Sequence, residues 1–178
     1  MLDILPNRSL RYLTDYFLKM GREELSNVEV FVSDMFGGYK SLKRDIFSGA
    51  VHVIDPYHYI RLVVWALENV RKRIQKELPA YKRKYMKRSK SLLNKPASKL
   101  SKEEMVRVAD MLDASEELRL AYNLKEGFYD YVLMKIDSKS AGKALKLWIE
   151  MAKESGLDEF KESGLDEFKE CITAFTNW

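Results

Sequence analysis

Asp34, Asp55 and His58 are the residues of this chain whose types and neighbours suit metal-assisted chemistry. Asp34 closes the run Val28-Glu-Val-Phe-Val-Ser33, and the other two stand in Asp55-Pro-Tyr-His58. A carboxylate just beyond the carboxyl end of a strand lies where open α/β sheets place ligands and metals. Phosphodiester cleavage with two metal ions needs several carboxylates converging on Mg²⁺, since one carboxylate cannot hold two hard cations. Read alone, Asp34 therefore has two meanings, a metal ligand or a cap on the helix that follows. Asp55 and His58 admit a carboxylate-and-imidazole site, yet Asp55 before Pro56 is also the pattern of an N-cap followed by the favoured first helical residue. No glycine-rich phosphate loop, HExxH or nucleophile elbow is present. Cys171 stands alone, which excludes an internal disulfide and a multi-thiolate zinc site and fits a reducing compartment.

The elements that must position these residues begin with strands. The β-branched and aromatic run from Val28 to Ser33 reads as a buried strand, with Gly37-Gly38 after it as a turn signal. Ala50-Val-His-Val-Ile54 reads as a second strand with His52 as a core or sheet-face residue, and Tyr39, Leu42, Ile46 and Phe47 between them keep helical spacing. That order is one parallel strand-helix-strand crossover. Leu2 to Leu5 reads as the tail of an earlier strand. Leu10, Leu13, Tyr16, Phe17 and Met20 recur on one helix face.

After Asp55 the pattern turns helical. Ile60, Val63, Val64, Leu67, Val70 and Ile74 keep a 3–4 spacing up to a stop near Leu78, imposed by Pro79. Further helices are expected from Ser101 to Leu112, opened by the capping box Ser101-Lys-Glu-Glu104, from Glu116 to about Ile136, and from Ser140 to about Glu154 with Leu145, Trp148 and Met151 inward. Residues 154–161 recur unchanged as 162–169, a single tandem duplication too short and too few in copies for a solenoid.

Between Arg71 and Lys90 stand Arg71, Lys72, Arg73, Lys76, Lys82, Arg83, Lys84, Lys87, Arg88 and Lys90 against one acid, Glu77. The segment carries +9 where the whole chain carries +4, so the remainder is at −5. Such a run suits a phosphate backbone, whose condensed counterions are released on neutralisation. The competing readings are a solvated helix face and, less favoured, a surface for an acidic protein or lipid. Tyr81 and Tyr85, four apart, are expected to pack against a neighbouring helix rather than stack on bases.

The 178 residues fit one domain or a piece of a larger protein, and an apolar fraction of 46% with 12% aromatics excludes wholesale disorder. Met1-Leu-Asp-Ile-Leu-Pro offers no signal-peptide pattern, and Leu62 to Leu67, the longest apolar run beyond it, falls far short of the ~20 residues of a membrane span. A soluble cytoplasmic chain with no membrane partner is expected.

Val30-Phe-Val-Ser-Asp34-Met-Phe-Gly-Gly-Tyr39 followed by Val51-His-Val-Ile-Asp55-Pro-Tyr-His58 resembles the central block of the ISL-three-type bacterial insertion-sequence transposases. The likeness continues through Ala66 to Arg71, Leu92-Leu-Asn-Lys-Pro96, Leu100 to Glu104, Leu118 to Glu126, Trp148 and Ile172 to Trp178. It implies a DDE enzyme with an RNase H-like fold. Residues 1–56 would be part of that α/β core, with two to three strands, and residues 57–178 a mostly helical insertion, the whole predominantly helical.

By this resemblance Asp34 is the second carboxylate of the triad and a ligand of the Mg²⁺ pair, while Asp55 and His58 match a family signature as supporting positions. The first Asp would precede Met1 and the Glu would follow Trp178, so the chain is expected to be an internal fragment that binds DNA without cutting it alone. Self-association through uncovered strands is expected. The alternative is a catalytically silent helical module for nucleic-acid binding or assembly.

Overall fold

The structure, a computed structural model, describes residues 3–134, 137–155 and 168–177, and the chain divides into two units, Met1–His58 and Tyr59–Trp178. The duplicated octapeptide, apart from its outermost residues, lies outside the described residues.

The first unit is built on the crossover. Strand β1 (Val30–Ser33) pairs in parallel with β2 (Val51–Ile54), Val30 opposite Val51 and Ser33 opposite Ile54, and helix α3 (Gly37–Asp45) connects them. Helices α1 (Leu10–Leu18) and α2 (Arg22–Ser26) precede the sheet. Leu13, Leu25, Leu42, Phe47 and Ala50 form the buried core. The Phe31 and Phe47 rings stack at 5.0 Å, and Phe17 meets Phe47 edge-on at the same distance.

Three expectations need correction here. Among the described residues the sheet has two strands, and Asp3 to Leu5 form none. Asp3 instead accepts a 2.5 Å hydrogen bond from the Tyr16 hydroxyl, which lowers its pKa. The strands are not buried on both sides, because Val30, Val32, Val51 and Val53 are all exposed while Phe31, Ser33, His52 and Ile54 face the half-buried side. Gly37-Gly38 is not a turn but the first turn of α3. The bend comes earlier, at Met35, where Asp34 accepts from the Phe36 amide, and a Cβ on Gly38 would come within 2.5 Å of the Phe36 ring.

Helix α4 (Pro56–Glu77) starts as the sequence dictates. Asp55 Oδ1 accepts from the Tyr57 amide at 2.9 Å, and Pro56 gives up no backbone donor that the helix would use. In the second unit α4 buries Val63, Leu67, Val70 and Ile74, and ends before Pro79, after which α5 (Ala80–Asn94) begins. Helix α6 (Lys102–Leu112) carries the Ser101/Glu104 capping box.

The expected helix from Glu116 to Ile136 is two elements, α7 (Glu116–Gly127) and a π-helical segment Phe128–Leu133. Helices α8 (Ser138–Glu154) and α9 (Lys169–Asn177) follow. Phe128, Trp148 and Phe175 cluster with ring centroids 5.3–5.7 Å apart, and the Trp148 indole donates to the Leu124 carbonyl at 2.8 Å. Met151, expected inward, is exposed on α8.

Three sequence blocks meet in one polar hub. The buried Lys125 ammonium donates to the Lys95 carbonyl at 2.9 Å, pairs with Glu126 and lies 4.1 Å from the Tyr122 ring centroid. Burial pushes its pKa down and Glu126 opposes that. Glu126 also accepts from the Ala97 amide at 2.9 Å, and Lys95 reaches Glu104 at 2.7 Å. The connection between α5 and α6 is thereby held onto α7.

Candidate functional site

Parallel pairing of Ser33 with Ile54 places Asp34 and Asp55 side by side at the carboxyl ends of β1 and β2. The Asp55 amide continues the ladder by donating to the Ser33 carbonyl at 3.1 Å. Each carboxylate also accepts from an amide two residues on: Asp55 Oδ1 caps α4 through the Tyr57 amide, whereas Asp34 Oδ1 accepts from the Phe36 amide at 2.8 Å in a turn ahead of α3, whose own N-cap is Phe36. Asp34 is half-buried and Asp55 exposed. The half-buried His58 stands one turn into α4, its amide donating to the Asp55 carbonyl at 3.0 Å. The cap expected of Asp34 is not formed, because α3 opens at Phe36 with no side-chain cap bond, and the contact Asp34 makes is a local turn at the strand end.

Next to these, His52 Nε2 lies 2.8 Å from Ser33 Oγ, whose own proton goes to the Asp34 carbonyl. That network puts the imidazole proton on Nε2. Burial lowers the His52 pKa, and the charges of Lys43 and Lys40 lower it further, which favours the neutral ring.

The basic segment divides between interior and surface. Arg71 is 3% exposed, its guanidinium held by Glu68 through two bonds of 2.7 Å and by Gln75. Arg73 is half-buried and donates to Glu117 at 2.9 Å. These two are therefore removed from the exposed face on which the sequence count placed them. Lys72, Lys76, Lys82, Arg83, Lys84, Lys87, Arg88 and Lys90 are exposed.

On α5 the apolar residues Met86 and Leu93 turn inward together with Ser89, to which Arg107 donates at 2.7 Å. The 3.6-residue period then puts Arg83, Lys84, Lys87 and Arg88 on the opposite side, at i, i+3 and i+4 spacings. Arg83 also donates to the carbonyls of Lys76 and Leu78, which ties the start of α5 to the end of α4. Tyr85 packs as expected, its hydroxyl reaching the Arg107 carbonyl at 3.5 Å, whereas Tyr81 is 70% exposed among the cations.

With carboxylates at a parallel sheet's carboxyl end and a cationic helix face in one chain, the comparison with known families is decisive. The family described as Transposase, of the ISL-three type, matches residues 1–178. The chain belongs to the ISL-three-type transposase family. No curated protein and no solved structure matches it.

Transposases of the DDE kind imply a divalent metal pair, and the residues of this transposase chain can be tested against one. Among the described residues no three His, Cys, Asp or Glu side chains converge, and Asp34 and Asp55 each already accept from a backbone amide. Two carboxylates do not complete the shell of two hard cations. The described residues therefore do not by themselves hold the Mg²⁺ pair, and no cleavage step is assigned to them.

One feature of this transposase chain was missed in the sequence. On α4 the Arg61 guanidinium lies 4.6 Å from the Trp65 ring centroid, and Trp65 is 54% exposed. Arg61, Trp65, Lys72 and Lys76 fall at intervals of 4, 7 and 4 residues, hence on one helix face. The signal was available as an aromatic residue on the polar side of an otherwise regular apolar stripe. Among the described residues no helix is long and apolar enough to cross a membrane.

Proposed function

We propose that this transposase-family chain engages DNA through the outer face of α5 and the Arg61 to Lys76 face of α4. The observation that carries the reading is the surface charge. Eight exposed cations between Lys72 and Lys90 face a single acid, Glu77. Ordinary solvated helices interleave both signs at i, i+4, whereas here Lys84 is followed at i+3 and i+4 by Lys87 and Arg88. Like charges so placed destabilise an isolated helix, and a polyanion laid along them reverses that sign. The stacked Arg61 and Trp65 add a π-face on which an unpaired base can rest.

In the same reading residues 1–56 belong to an RNase H-like core, residues 57–178 to a helical insertion, and Asp34 is one carboxylate of a triad completed by other parts of the intact enzyme. Two parallel strands with their crossover helix, and Asp34 at the carboxyl end, support that assignment. A second reading, a catalytically silent binding or assembly module, is favoured by both carboxylates already accepting from backbone amides of their own chain.

The discriminating experiment measures duplex affinity and Mg²⁺-dependent nicking together. Replacing Lys82, Arg83, Lys84, Lys87 and Arg88 by Gln weakens binding about uniformly across sequences. Unchanged affinity would refute the DNA face. Mg²⁺-dependent nicking by this chain that disappears in Asp34→Ala would exclude the silent module and overturn the reading that the triad needs other parts of the enzyme.

A further inference from the structure

The first unit contains a cationic cavity that the basic run of α5 does not include. It has a volume of about 530 Å³ and is lined by Lys40, Ser41, Lys43, Arg44, Ser48 and His52, with Gly37 at its rim. Lys40, Lys43 and Arg44 stand at i, i+3 and i+4 on α3, so their stems rise from one side of that helix.

The only acid beside them in sequence, Asp45, takes Arg44 in a bidentate pair of 2.7 and 2.9 Å at the surface. Lys43 donates to the Ser48 carbonyl at 3.2 Å, which orients its ammonium and uses one of three donors. Ser41 and Ser48 add hydroxyls. His52 on β2 senses the same charges, because Lys43 and Lys40 both depress its pKa after burial has done so.

The lining therefore has donors and positive charge with little to accept a cation, and its polar groups would strand an apolar guest. Its chemistry matches a tetrahedral oxyanion held by ammonium groups and hydroxyls. The cavity follows directly in sequence from the Asp34 turn, since the Phe36 amide bonded to Asp34 immediately precedes Gly37.

We propose that this cavity is a phosphate-binding site of the first unit that takes a single backbone phosphate of DNA through Lys40 and Lys43. The inference rests on the DNA-binding reading but uses none of the residues on which that reading stands. It adds a point of DNA contact in the unit that carries Asp34.

The test uses the whole chain and the ring signals of His52 in NMR, assigned with His52→Gln, at constant pH 7.5. A short duplex shifts these signals in the native chain and leaves them unmoved in Lys40→Ala/Lys43→Ala. In the same variant the slope of log K against log salt becomes shallower by about one, as the loss of a single phosphate contact requires. Lys40→Gln/Lys43→Gln, which keeps most of each stem, gives the same result, and an unchanged thermal transition shows that either variant is folded.

A duplex that binds with His52 unmoved, or a slope unaltered by the double substitution, overturns the site alone. Inorganic phosphate shifting His52 while duplex does not would assign the cavity to a free anion and overturn it as a DNA contact. A chain that binds no duplex overturns the proposed function and this site together. Lys84→Gln/Lys87→Gln/Arg88→Gln, with weakened affinity but His52 still shifted by saturating duplex, supports two independent contacts.

Discussion

Arg71 and Glu68, one turn apart on α4, join through Nε to Oε2 and Nη2 to Oε1, both at 2.7 Å. Their side chains are only 4% and 13% exposed, so the charge that looks from sequence like part of a DNA-binding run is neutralised inside the second unit. Losing one partner of such a pair leaves the other charge without compensation in the interior. Arg71→Ala is expected to lower the unfolding free energy by about 3 kcal/mol, read from urea denaturation, with DNA affinity per folded molecule unchanged. A weakened affinity at full folding would return Arg71 to the interface.

The same pair sets a pH dependence. Burial pushes the Glu68 carboxyl up, but the Arg71 bond and the charges of Arg71, Lys72 and Lys90 outweigh it, so the folded pKa lies below the ordinary 4.5. A lowered carboxylate contributes stability that is complete above the unfolded value and fades as pH falls through the folded one. Glu68→Gln should therefore flatten the acid limb of the stability profile below about pH 5, with little change in its shape above pH 6. An acid limb identical to that of the native chain would remove Glu68 as its source.

Trp65 separates base stacking from charge. Trp65→Ala is expected to weaken single-stranded DNA by about 1–3 kcal/mol while leaving a blunt duplex, whose bases are already stacked, within about twofold. Equal losses on both substrates would make Trp65 a structural residue rather than a stacking surface.

Local chemistry was what the sequence displayed well. Asp55 before Pro56, the Ser101/Glu104 box and the crossover from β1 to β2 are each decided within a few residues, and the structure contains them. Burial was harder to read, because it depends on what lies opposite. Val30 and Val32 look alike whether a layer covers them or not, and Arg71 looks like Lys72 until Val70 and Ile74 draw its face inward. The hub of Lys95, Glu104, Lys125 and Glu126 spans about thirty residues of sequence and has no periodicity to betray it. At the site, the order of Asp34, Asp55 and His58 was legible, but the cavity lined by Lys40, Lys43 and His52 joins residues of α3 and β2 that no local pattern brings together.

The uncovered valines carry a further expectation. Val30, Val32, Val51 and Val53 make one exposed apolar face of a two-stranded sheet, and the outer edges of β1 and β2 carry no further strand among the described residues. Faces and edges of this kind associate. The native chain is expected to sediment as more than a monomer at tens of micromolar, an order-of-magnitude concentration, and Val32→Lys/Val53→Lys to shift it toward the monomer. A native chain that is monomeric throughout would contradict this.

Binding of the phosphate backbone by the exposed cations of α4 and α5 makes duplex affinity depend steeply on salt. If about five of the eight exposed cations each neutralise a phosphate, log K falls against log salt with a slope of about −4 to −5. Replacing Lys84, Lys87 and Arg88 by Gln should reduce that slope by about two to three, whatever the DNA sequence. A flat dependence in the native chain, or a slope untouched by the three substitutions, would contradict the account.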